Sequence, residues 1–183
     1  MTALIQNLGI IIGTGALWFF MDYLNREHLS IFKISDFIYL VYLPAGYRLV
    51  TVITFGWPGA LGIGLAYAIR IYFFRDLPLI DVAVLATLYA LAPLVAIKTW
   101  ERIFNITPNL ANISVLNLFW LSCFSALFNA SFRIIFFAYA DMSFGLLELS
   151  QLVTGNLMGT FLMLYILKIL TRIYLALNSK QSL

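Results

Sequence analysis

The sequence predicts an all-α, polytopic integral membrane protein: one transmembrane domain over residues 1–183, a bundle of about six helices. Three observations predict it. The chain is 63% hydrophobic and only 10% charged, where a soluble domain is about half apolar and a quarter charged. Mean hydropathy is +0.97, more apolar surface than a globular core of this length can hide. The charges gather in short clusters between apolar runs near the roughly 20 residues that one helical crossing needs.

The first span is expected over residues 4–24, uncharged until Asp22. It lacks the basic start and small-residue cleavage site of a secretory signal, so it reads as a retained helix. Asn25 to Asp36, with Arg26, Glu27, His28 and Lys33, reads as an aqueous loop. The second span, 37–55, is interrupted by Pro44-Ala45-Gly46 and Arg48, which predicts a kink before the charge. Gly56-Trp57-Pro58-Gly59 is a turn signal, making the second and third spans an antiparallel hairpin. The third span, 59–74, repeats Ala60, Gly64 and Ala68 every four residues, a face smooth enough for close helix packing in lipid. Pro44 and Gly46, Gly9 and Gly13 of span one, and Gly155 and Gly159 of span six are the other expected packing positions.

Arg75-Asp76-Leu77-Pro78 turns the chain into span four, 79–97, which ends at the charged, aromatic edge Lys98-Thr99-Trp100-Glu101-Arg102. A polar linker around Pro108 leads to span five, 115–138, and span six follows over 147–170. Asn-x-Ser/Thr matches begin at Asn105, Asn112 and Asn129; the last falls inside a span, and such short patterns carry little weight. Lys98, Arg102, Lys168, Arg172 and Lys180 fall on the side of the termini, against Arg26, Lys33, Arg70 and Arg75 on the other. The basic tail favours cytoplasmic termini.

Several chemistries lose their residues at this stage. A single cysteine, Cys123, leaves no disulfide and no cysteine metal site, and a single histidine, His28, leaves no zinc or bis-histidine haem site. No catalytic residues, metal ligands or cofactor site are expected, and nothing supports an enzyme. The +3 charge reads as topology and anionic-lipid signals, with no nucleic-acid partner. Tyrosines and tryptophans near span ends read as interface anchors.

The informative residues are polar groups inside the slab, which are costly there and normally face protein or a cavity. Arg48 lies within span two, with no acid expected at its depth. Ser122, Ser125, Asn129 and Arg133 fall on one stripe of span five. Glu148, Gln151, Gly155 and Gly159, with Asn156 beside them, form a stripe on span six. With cytoplasmic termini, Arg133, Asp81, Asp141 and Glu148 share one depth, which predicts an ion-paired cluster at the outer level. Arg48, Asp81, Asn129, Arg133, Glu148, Gln151 and Asn156 are therefore the candidate ligand-binding set. One reading is a pocket for a small polar or anionic ligand; the other is a set of ion pairs that stitch helices together.

Two stretches carry a resemblance. Leu43-Pro44-Ala45-Gly46-Tyr47-Arg48-Leu49 with Phe55-Gly56, and later Gly155-Asn156-Leu157-Met158-Gly159, resemble motifs of bacterial membrane-associated sensor (MASE) domains of the first type. That family usually has more spans and is fused to cyclase, phosphodiesterase or kinase domains. The resemblance implies a stand-alone, shortened sensor module that acts through a partner membrane protein. A looser similarity of architecture connects it to the substrate-binding subunits of energy-coupling-factor vitamin transporters, and a structural accessory subunit of a larger complex is a third possibility.

Overall fold

The computed structural model describes residues 2–35, 38–105, 114–140 and 145–179. Helix α1 spans Thr2–His28, and a 3₁₀ turn at Ser30–Phe32 leads into a small antiparallel pair, β1 (Lys33–Ser35) and β2 (Ile38–Tyr39). Helices α2 (Leu43–Phe74), α3 (Leu79–Phe104), α4 (Val115–Tyr139) and α5 (Leu146–Ser179) follow. The architecture is all-helical, and five helices are long and apolar enough to cross a membrane. The sequence led us to expect about six spans; the expected second and third both fall within α2.

Helix α2 is broken inside. Gly56 sits at φ 59°, ψ −133°, a backbone region open to glycine, and Pro58 supplies no N–H. A Cβ on Gly59 would lie 2.9 Å from the Thr51 carbonyl oxygen. Residues eight apart on a continuous helix are about 12 Å apart along its axis, so the chain reverses here and Leu43–Phe55 lies beside Trp57–Phe74. The contacts of α1 agree: the Tyr47 hydroxyl donates to the Thr14 carbonyl at 3.0 Å, while Gly62 packs against Thr14 and Ile11.

Around this hairpin, α1 packs on α2, α2 on α3, α3 on α4, and α5 returns to α2 and β2. Trp18, Ile63, Tyr67, Leu85, Tyr89 and Phe136 centre one apolar cluster, and Leu49, Val52, Trp100, Leu118, Leu121 and Leu164 a second. Outward faces carry exposed apolar side chains, among them Leu4, Ile12, Leu65, Phe73 and Ile173, as a lipid-facing surface requires.

Several expectations need correction. The second span does not begin at residue 37 and is not kinked at Pro44: β2 precedes it, and Pro44 lies in the first turn of α2, where a missing N–H costs little. The Leu43 N–H is instead satisfied by Asn25 Oδ1 at 2.9 Å, so Asn25 is a buried helical residue and not the start of an aqueous loop. Helix α3 continues through Phe104 and buries Trp100 fully, so this tryptophan is core and not an interface anchor. Gly9 and Gly13 meet no neighbour within 4 Å; α1 packs through Thr14 and Gly15 on Gly62.

The other small residues singled out from the sequence lie at close contacts. Ala60 is core, Ala68 packs against the first cluster, and Gly64 faces Ala90. Gly46 sits against Met163 and the Gly159 carbonyl. Gly155 and Gly159 admit backbone: a Cβ on Gly155 would overlap the Tyr39 carbonyl, and one on Gly159 the Tyr42 carbonyl. The Tyr42 N–H also donates to the Gly155 carbonyl at 3.1 Å. In this non-helical stretch Tyr39 is buried and Tyr42 half-buried, while Leu40 is exposed.

Candidate functional site

One end of the bundle gathers the polar groups: the end of α1, the residues leading into α2, the end of α2, the latter part of α4 and the first turns of α5. Arg48 is almost fully buried. Its Nη1 donates to Asn129 Oδ1 at 2.8 Å and to the Tyr89 carbonyl at 3.4 Å. Its guanidinium lies 3.8 Å from the Tyr89 ring centre, a cation–π contact strengthened by exclusion of water. Tyr67 stacks on Tyr89 at 3.7 Å between centres, so Tyr89 is held between a cation and a second ring. Trp18 closes on both tyrosines edge-on.

Arg133, about 9 Å from the end of α4 at 1.5 Å per residue, donates from Nη2 to the Tyr67 hydroxyl at 3.1 Å. The Tyr42 and Tyr89 hydroxyls are 3.2 Å apart. A separate ion-pair triad flanks this cluster: Asp22 Oδ2 lies 2.7 Å from Arg70 Nε and 3.0 Å from Arg26 Nε.

Between these groups lies a cavity of about 30 Å³, with Tyr42, Tyr67, Arg70, Asn129, Arg133 and Asn156 among its walls. Asn156 donates from Nδ2 to the Leu152 carbonyl at 2.8 Å, while its buried Oδ1 has no partner. Arg48 Nε, behind Asn129, also has none.

Of the residues singled out from the sequence, Arg48, Asn129, Arg133 and Asn156 converge here. Asp81, Glu148 and Gln151 do not line the cavity, and Glu148 is exposed. The expected ion-paired cluster is therefore corrected. Neither Asp81 nor Glu148 pairs with Arg133, whose bond goes to Tyr67; Asp141 lies outside the described residues. Glu148 stands in the first turn of α5, two turns from Asn156, and points away from the interior. Asn129, a glycosylation match by pattern, is buried against Arg48.

Sequence reasoning missed Asp22, Arg70, Tyr42, Tyr67 and Tyr89. Depth matching carried the signal for the ion pair: Asp22 and Arg70 both lie near the far ends of spans that run in the same direction. For the tyrosines the interface-anchor reading hid a buried stack.

On this geometry the chain is an all-helical protein with five helices long and apolar enough to cross a membrane and an arginine–tyrosine cavity at one end of its bundle. Compared with protein-family models, curated proteins and solved structures, it matches none.

Proposed function

We propose that this chain is a non-enzymatic module of sensor type in a bacterial inner membrane, binding a small ligand and acting through a partner membrane protein. In this reading the two arms of α2 count as two crossings, giving six, with both termini cytoplasmic and the cavity toward the opposite face. The carrying observation is the cavity: buried arginine, tyrosine and asparagine groups around a small opening in a mostly apolar bundle. The resemblance to membrane-associated sensor domains supports the same reading. Its two motifs fall on Pro44–Leu49 and Gly155–Gly159, the segments that bring Arg48 and Asn156 to the site.

A partner has a surface to use. Helix α1 is mostly exposed, and Gly9 and Gly13 leave its outer face flat. That flat face suits an energising partner as well, as the transport-subunit alternative requires. A cavity of about 30 Å³, however, is far below the 300–1,000 Å³ typical of a pocket for a drug-sized molecule, and this disfavours a vitamin as cargo.

Purification of the tagged chain from its native membrane in mild detergent tests the proposal. A stoichiometric membrane partner is expected, retained by the wild type and lost when Gly9 and Gly13 are both replaced by Phe. A chain recovered alone and monomeric under every mild condition would defeat it.

A further inference from the structure

The polar end of the bundle carries more positive charge than the described residues neutralise. Arg48, Arg70 and Arg133 converge there, and the carboxylate beside them, Asp22, is already shared by Arg26 and Arg70. Arg48 and Arg133 are bonded to neutral oxygens of Asn129, Tyr89 and Tyr67. A guanidinium removed from water among neutral partners is costly, and a counter-charge in reach relieves it.

The cavity beside them has complementary walls. Arg70, Arg75 and Arg133 border it, and among the described residues no Asp or Glu does. Asn156, 2% exposed, has committed its amide to the Leu152 carbonyl and leaves Oδ1 as a buried acceptor without a donor. The walls therefore offer N–H donors to negative oxygen and one acceptor to a hydroxyl. At about 30 Å³ there is room for about two or three water-sized atoms, which suits a flat ion of a few atoms and excludes a nucleotide or a sugar.

Deepening the ligand-binding reading above and resting on it for the site's use, we propose that this cavity binds a small planar oxyanion of the carboxylate or bicarbonate class. The charged edge lies on Arg133 and Arg70, and a hydroxyl, where the anion keeps one, donates to Asn156 Oδ1. Guanidinium groups suit such an ion because their planar fork matches two oxygens at once.

Thermal unfolding of the purified full chain in a neutral detergent tests this, with bicarbonate, formate, nitrate and chloride added at equal ionic strength to a buffer otherwise free of small anions. Saturable stabilisation is expected from bicarbonate and formate, bicarbonate binding more tightly, with chloride weakest. Arg133→Lys keeps the fold and weakens binding about tenfold, because an ammonium cannot form the bidentate pair. Asn156→Asp places a carboxylate against the arginines, so it melts at or above the unliganded wild type and no longer responds to anions. Equal shifts from all four anions, or none, overturn the proposal and leave a cavity that holds water only. A wild-type response surviving in both variants overturns it as well. Such failures bear on the ligand, whereas the partner half of the sensor reading is judged separately by the co-purified partner.

Discussion

At the hairpin end of the bundle, around Gly56, the interior is mostly apolar, centred on Leu49, Val52, Ala60, Ile97, Trp100, Leu118, Leu121 and Leu164, with the buried Thr51, Ser122, Thr160 and Lys168 next to them along their helices. At the opposite end the same helices present Arg48, Tyr67, Tyr89, Asn129, Arg133 and Asn156. The two regions differ in what holds them. Between helices in lipid there is no hydrophobic gain, because acyl chains solvate a leucine as well as another leucine does; packing contacts remain. The apolar end therefore depends on many interchangeable dispersion contacts. The polar end depends on a few directional ones, among them the Asp22 triad, the Arg48–Asn129 bond and the Tyr42–Gly155 backbone bond. Substitutions at the first should act in proportion to volume, and at the second in steps.

The largest step is expected at Asp22. Its side chain is almost fully buried and faces Arg70, while Arg26 is about a third exposed. Asp22→Asn leaves Arg70 without its counter-charge and should cost about 3 kcal/mol, in the range for breaking one partner from a buried pair. Unfolding by sodium dodecyl sulfate in mixed micelles measures it, and Arg70→Gln in the same background should recover part of the loss. A cost below about 1 kcal/mol, the range of exposed pairs, would mean that water reaches this triad and would erase the contrast between the ends.

Next come two glycines, one at each end. Gly155→Ala drives a Cβ into the Tyr39 carbonyl, a rigid backbone obstacle, and should cost about 2 kcal/mol. Gly56→Ala meets nothing within 4 Å but must hold φ at 59°, a strain of about 1–2 kcal/mol. The comparison sharpens in the anion assay. The Gly155 variant, which shifts the wall beside Asn156, should also lose anion stabilisation, whereas the Gly56 variant should keep it.

How much of this was legible follows from the same division. Long apolar runs and the Gly56-Trp57-Pro58-Gly59 signal give the helices and the reversal, because both are local properties of the chain. Pro44 misled: proline inside an apolar run suggests a kink, yet proline also starts helices, and the choice was made by Asn25, distant in sequence, accepting the Leu43 N–H. Charges were legible as costly and inward, so Arg48 and Arg133 were found. Depth points to acids as partners for Arg133, whereas Tyr67 accepts from it; Arg48, for which the sequence offers no acid, is held by Asn129 and the Tyr89 carbonyl. A tyrosine in an apolar stretch looks the same whether it anchors an interface or stacks in a core; the difference is tertiary.

The smallest effect is expected on α1, and it separates packing inside the chain from packing against a partner. Gly9 and Gly13 resemble a close-packing face in sequence, but a Cβ at either meets nothing within 4 Å. Ala at both positions removes no internal contact and reduces the backbone freedom that glycine brings to a helix. The isolated chain should therefore become more stable, by up to about 1 kcal/mol for each glycine and by less where the unfolded chain keeps its helix in detergent. If this face docks a partner helix through close backbone approach, the same double substitution should weaken co-purification without destabilising the isolated chain. A destabilised isolated chain would mean that Gly9 and Gly13 pack internally after all, and that α1 belongs to the core rather than to an interface.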